Sequence, residues 1–321
     1  MASTRAKIAI AMLTALLSGS VHAQYPERPL RFVIPFPPGG GADNLARIVA
    51  QPAAEMLRQQ IVIDNRAGAG GNIAAETVAK AAPDGYTLLQ ANVSHAISAS
   101  LYRKLPYDLL RDFDAVTQLA SIPFVLLTTP SFSAPSIQAL IAAAKAKPGA
   151  YTYASSGAGG PSHMAMEMMK AMAGIDIRHV PYKGAAPAAT DVIAGQVQMG
   201  FFTVSAALPL IAGGRVRALA IASAQRTPLA PDIPTASESG LPGFEATTWF
   251  GVMVPKGTPA GVVNRLHEVF VDALKQPTVR ERLVHQGFDL VGSTPGEFSR
   301  YVQTELPKWA QAVKASHAST D

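Results

Sequence analysis

The feature that most limits what this 321-residue chain can become is a regular alternation of short apolar segments with amphipathic ones. Strand-like and helix-like segments in strict turn are the signature of an α/β fold with a parallel sheet. "LRFVIPF" reads as a buried strand and "ADNLARIVAQPAAEMLRQ" as the helix after it. "IVIDNR", "NIAAETVAKAAP" and "DGYTLLQAN" continue the pattern as strand, helix and strand. Two extended stretches break the rhythm, "FDAVTQLASIPFVLLTTP" and "FEATTWFGVMVP", and the first is too long for one strand of a compact lobe. Between them the alternation restarts, with "PSHMAMEMMKAMAG" and "AAPAATDVIAG" as helices and "AYTYASS", "IDIRHVPY" and "VQMGFFTV" as strands. The pattern predicts two lobes joined by two crossings, residues 24–121 with 250–321 forming one and 122–249 the other. A single continuous sheet is the alternative.

The first 23 residues read as a secretory signal peptide: Arg5 and Lys7, then the short apolar run "IAIAMLTALLSG", then a small-x-small site ending at Ala23. The run is shorter than the roughly 20 apolar residues a spanning helix needs. The mature chain is therefore expected in the periplasm, uninserted in the membrane and monomeric. Losing Arg5 and Lys7 lowers the formal charge from +5 to +3. That excess is slight and carries no basic run with interleaved aromatics, so nucleic acid is not an expected partner. With no cysteine there is no disulfide framework, and stability has to come from an ordinary apolar core.

Three strand-to-helix turns are rich in glycine: Pro38 to Asp43, Ser155 to His163, and Pro181 to Ala185. A helix N-terminus leaves about four N–H groups without intrahelical partners and carries roughly half a positive charge. Glycine lets a ligand approach that backbone, so such turns favour carboxylate or phosphate oxygens. None matches a P-loop or a dinucleotide fingerprint. No metal-ligand spacing and no nucleophile elbow occurs, so neither a metal nor a cofactor is expected. Ser162–His163 and Ser94–His95 each set a histidine after a serine at a strand end or helix start; a hydrolytic dyad built on one of them is the rival reading, although adjacency rarely gives the required geometry. Asp43 is placed to cap its own helix, Lys183 to offer a cation, and Trp249 to wall a cleft or fill the core.

Six segments in this order, "PFPPGGGAD", "NRAGAGGNIAAETVAKAAPDGYTLL", "GPSHMAMEMM", "VPYKG", "RVRALAIAS" and "WFGVMVPKGTP", resemble the Bug family, the extracytoplasmic solute-binding receptors related to tripartite tricarboxylate transporters. The resemblance runs from Tyr25 to about Trp309. It implies a type II periplasmic-binding-protein fold whose two lobes close on a ligand. It implies that a small organic carboxylate is held by Gly39, Gly40, Gly41, Ala42 and Asp43 in one lobe and by Gly157, Ala158, Ser162 and His163 in the other. Tyr182, Lys183 and Gly184 are implied nearby, with Ser94, His95 and Thr203 facing the same cleft. Relatives often carry an acid where this chain has Gln198, and an acid or amide near Thr203; without those acids, a mono- or dicarboxylate lacking an amine is expected. Membrane permease subunits are the implied partner, and a signalling protein fed by the same receptor is the alternative.

Overall fold

The computed structural model describes residues 25–316 and 318. The predicted signal peptide lies outside the described residues. The chain runs β1 (Leu30–Ile34), α1 (Gly41–Leu57), β2 (Ile61–Asn65), α2 (Asn72–Ala79), β3 (Thr87–Asn92), α3 (Val93–Leu101) and then the 16-residue β4 (Phe113–Thr128). The middle section contributes α4 (Ile137–Ala146), β5 (Thr152–Ser155), α5 (Pro161–Ala173), β6 (Arg178–Pro181), α6 (Ala185–Ile193), β7 (Met199–Thr203), α7 (Val204–Ala212) and β8 (Arg217–Ile221). The chain returns through β9 (Thr247–Pro255) and closes with α8 (Ala260–Lys275), α9 (Pro277–His285), β10 (Asp289–Leu290) and α10 (Pro295–Ser316).

The strands hydrogen-bond in the order β2-β1-β3-β9-β4-β7-β5-β6, with β8 and β10 also paired to β4. β1, β2 and β3 are mutually parallel, as are β5, β6 and β7. Between these blocks lies the long β4, whose first part pairs with β9 and β10 and whose last five residues pair with β7 and β8. Strand continuity therefore passes through one shared strand whose two ends serve different sheets. This is how a chain with no break in its hydrogen bonding still builds two lobes.

Burial follows the apolar pattern. Strands covered on both faces read as near-continuous apolar runs; Phe32, Val33 and Ile34 of β1 and Val125, Leu126 and Leu127 of β4 are all fully buried. α1 is amphipathic and presses Leu45, Ala46, Val49 and Ala53 on the sheet. The methionines of α5 serve the core, Met164, Met166 and Met169 being inaccessible. Trp249 is likewise buried, its ring edge-on to Phe298 and Tyr301, so it fills the core and does not wall the cleft. α10 packs against α3, α5 and β4 together. Its Glu305 carboxylate accepts the indole N–H of Trp249 at 2.9 Å and that of Trp309 at 2.6 Å.

One helix differs from the sequence reading. The strand–helix pattern assigns no helix directly after "DGYTLLQAN", yet Ser94 and His95 lie in the first turn of one, α3. Asn92 is its N-cap, with its side-chain oxygen on the Ser94 N–H at 2.8 Å. Val93, Ala96, Ile97 and Leu101 then recur at helical spacing and are buried. That signal was present in the sequence but masked by the strand running straight into it.

Candidate ligand-binding cleft

Strand register fixes where the glycine turns meet. β3 runs in the same sense as β4 and ends at Asn92, opposite Phe250, which itself faces Ala120 of β4. β7 comes from the other direction and ends at Thr203, opposite Phe124. The carboxyl ends of the two parallel blocks therefore face each other across four residues of β4, about 13 Å of strand. In open α/β sheets ligands bind at such strand ends. A cavity of about 180 Å³ lies here. Ser156 of the second turn, Pro161 and Ser162 at the start of α5, Ala185 at the start of α6, and Thr203 before α7 line it, together with the crossing-strand residues Phe124 and Thr248; the predicted residues Gly39, Gly40, Gly41, Ala42 and Asp43 of the first turn do not.

The first turn is built by Asp43. Its carboxylate accepts the Gly39 N–H at 2.9 Å, Arg47 Nε at 2.9 Å and Asn65 Nδ2 at 3.0 Å, and Asn65 also donates to the Phe36 carbonyl. Burial alone raises the carboxyl pKa, but the bonds from Arg47, Gly39 and Asn65 outweigh it and hold Asp43 below the usual carboxylate range. The Asp43 side chain is thus turned into the scaffold. Its backbone N–H and those of Gly40, Gly41 and Ala42 have no acceptor among the described residues. Gly39 takes φ +86°, where glycine is favoured, whereas Gly40 is extended and a Cβ there would touch only the Pro37 carbonyl oxygen at 3.9 Å.

The second turn uses more of its own amides. Gly157 N–H donates to Ser155 Oγ at 3.2 Å, Gly159 N–H to His163 Nδ1 at 3.0 Å and Gly160 N–H to the Gly157 carbonyl at 3.2 Å. The Gly184 N–H of the third turn donates to the Ser156 carbonyl at 3.0 Å, lashing the two turns together. The N–H groups of Ala158, Ser162, His163, Ala185 and Ala186 have no acceptor among the described residues. Three helix N-termini, those of α5, α6 and α7, thus converge on the cavity with no cationic side chain among its lining residues.

Several expected side chains are committed elsewhere. His95 is fully buried, with Nδ1 accepting the Asn92 N–H at 3.1 Å and Nε2 3.2 Å from the Gly71 carbonyl, so it braces the scaffold and does not face the cleft. Complete burial pushes its pKa down to about 4. The His163 ring is buried and turned towards Gly159, which leaves only its backbone N–H for a ligand. Tyr182 donates its hydroxyl to Asp191 at 2.6 Å, and Lys183 is exposed. Gln198 lies just before β7, with its Oε1 on Thr152, at the end opposite Thr203. The exclusion of amines drawn from Gln198 therefore loses its geometric basis.

No hydrolytic dyad forms at the predicted pairs. Ser162 Oγ accepts the Ser156 N–H at 3.1 Å and lies 3.0 Å from Ser156 Oγ, while its neighbour's ring faces Gly159. A serine–histidine contact that sequence reasoning missed, Ser155 Oγ to His179 Nε2 at 2.6 Å, lies part-buried beneath the turn and is bonded to Gly157. Among the described residues there is no cluster of side chains suited to a metal ion and no helix long and apolar enough to cross a membrane.

Two lobes sharing a pair of crossing strands, with helix N-termini gathered at the strand ends beside them, define the class of two-lobed solute-binding receptors. Residues 45–317 match the family described as "Tripartite tricarboxylate transporter family receptor". The chain belongs to that family. It is 39% identical over 309 residues to the "UPF0065 protein in tcbD-tcbE intergenic region" of Pseudomonas sp. strain P51, covering 96% of this chain and 92% of that protein. It is 38% identical to "Protein BugT" of Bordetella pertussis, covering 98% and 97%. Among solved structures, "R. palustris Rpa4515 with adipate" superimposes with a TM-score of 0.78 at 35% identity, over 92% of this chain and 99% of that one. "MatC (Rpa3494) from Rhodopseudomonas palustris with bound malate" does so at 0.76 and 34%, over 90% and 100%.

Proposed function

We propose that this protein captures a small organic mono- or dicarboxylate in the periplasm and delivers it to the membrane permease of a tripartite tricarboxylate-type transporter, without making or breaking a bond. The observation that carries this reading is the set of unpaired amides on either side of the hinge: Gly40, Gly41, Ala42 and Asp43 on one side, Ala158, Ser162 and His163 on the other. Their immediate neighbours are tied up by the protein, so the remaining donors are held in place before a ligand arrives. Hydrogen bonds to a charged acceptor contribute about 1.5–3 kcal/mol each, more than neutral ones. Helix N-termini without a lining cation suit an anion that needs no lysine or arginine partner. Adipate and malate, held by two of the solved relatives, each carry two carboxylates, and two sets of unpaired amides would serve one carboxylate each.

The test is thermal unfolding of the full chain with adipate, malate and adipamide. Both acids, or one of them, should raise the midpoint, and the diamide, equal in length but uncharged, should not. Equal shifts from acid and diamide, or none from any carboxylate of a wider panel, would remove the anion reading.

A further inference from the structure

Behind the second glycine turn lies a stack of rings, Tyr153 and His163 buried and His179 half-buried, that the binding reading leaves unused. His163 of α5 and His179 of β6 lie face to face, with ring centroids 3.8 Å apart and planes 8° apart. Tyr153 of β5 stacks on His179 at 4.8 Å and 18°, and its hydroxyl donates to Glu167 at 2.5 Å. Lys170 balances that carboxylate at 2.7 Å. We propose that His163 and His179 are positioning residues for the second turn, absorbing two of its backbone N–H groups and so selecting which amides are left for an anionic ligand.

The geometry carries this directly. Gly159 N–H donates to His163 Nδ1 at 3.0 Å. Gly157 N–H donates to Ser155 Oγ at 3.2 Å, and that oxygen is held 2.6 Å from His179 Nε2. One imidazole therefore anchors the far side of the turn directly, and the other anchors its near side through a serine. An Nδ1 that accepts must leave its proton on Nε2, so only the neutral ring performs this task. The stack between a helix residue and a strand residue keeps both rings edge-on to the loop, and Tyr153, pinned by Glu167, closes the far side. With Gly157 and Gly159 occupied, the donors left on this loop and helix start are Ala158, Ser162 and His163. Glycine permits the conformation, with φ +152° at Gly157 and +73° at Gly159, but glycine alone does not choose it. The imidazoles supply the choice.

This inference rests on the carboxylate reading, and its test separates the two. Full-length wild type, His163→Phe, His163→Asn, His179→Phe and His179→Gln are compared by amide hydrogen exchange of residues 155–163 and by calorimetric titration with adipate. Phenylalanine keeps a stacking ring but has no ring nitrogen; asparagine places an accepting oxygen near Nδ1, and glutamine places near Nε2 an amide that can either accept from or donate to Ser155 Oγ. Exchange in the turn should rise about tenfold in either phenylalanine variant, with adipate affinity falling by a similar factor, and the amide variants should recover most of both losses. Equal exchange in all five proteins, or a loosened turn with unchanged adipate affinity, overturns the proposal. If wild type binds no adipate while the phenylalanine variants alone loosen the turn, the positioning of the turn is upheld and the carboxylate reading fails.

Discussion

The carboxylate of Asp43 reaches back four residues to accept the backbone N–H of Gly39 at 2.9 Å, closing the first glycine turn from inside the protein. The same group takes Arg47 and Asn65, so an acid at a helix start, which could have served as counter-ion to an amine, is instead the fastener of the loop. Asp43→Ala should lower unfolding free energy by about 1–3 kcal/mol, because three donors, from Gly39, Arg47 and Asn65, lose their shared acceptor. Ligand affinity should fall with it as the turn loosens. Urea unfolding paired with titration checks this; lost affinity at unchanged stability would make Asp43 a direct ligand contact.

Gly40→Val tests the opposite case. The position is extended and has open space around its Cβ, so the fold should tolerate the change within about 0.5 kcal/mol. The isopropyl group would stand over the free N–H groups of Gly40 and Gly41, and carboxylate binding should drop at least tenfold. Retained affinity in a folded Gly40→Val protein would remove the first turn from the site.

The sequence carried the lobe pattern and the three turns plainly, because strand–helix alternation and glycine placement are local properties. It carried much less about which atoms of a turn are free. Asp43, His95 and His163 all looked suited to a cleft by type and position, yet each has its side chain turned inwards onto a backbone N–H. That choice depends on partners such as Asn65 and Gly71, 22 and 24 residues away. Likewise nothing in the neighbourhood of His179 marks it, since its significance comes from Ser155 and His163 on other elements. Trp249 was equally ambiguous until its indole met Glu305, 56 residues on.

Acid should destabilise the protein well above the carboxylate range. Complete burial depresses the His95 pKa to about 4, and burial, followed by His179 and then Lys170, depresses that of His163 to about 3, both below the ordinary 6.5. The folded state prefers each ring neutral, so the stability this gives is fully present above pH 6.5. It is lost as pH falls from 6.5 through each folded value. Asp43, held below its ordinary range, adds a loss in the same direction at lower pH. For His95 the loss is on the order of 3 kcal/mol at completion. Urea unfolding at pH 7, 5.5 and 4.5 should show a declining midpoint, with a shallower decline in His95→Asn, whose amide oxygen keeps the cap on Asn92. Parallel declines would mean that His95 does not titrate with unfolding.

Glu305 should be the most sensitive single position outside the cleft. Two indole N–H groups, from Trp249 on the crossing strand and Trp309 one helical turn away, converge on one buried oxygen, and Lys308 takes the other at 2.6 Å. Glu305→Ala leaves both indoles without an acceptor in an apolar surround, a cost of about 3 kcal/mol from two orphaned donors together with the cavity left behind. Glu305→Gln keeps an oxygen for the indoles and gives up only the contact with a partly exposed lysine, so it should cost about 1 kcal/mol. Because α10 packs on α3, α5 and β4 at once, the alanine variant should also loosen the hold between the lobes. Small-angle scattering of the ligand-free protein would then show a larger radius of gyration for Glu305→Ala than for Glu305→Gln. Equal stability losses in the two variants would show that the lysine pair, and not the indole bridge, fastens α10 to the crossing strand.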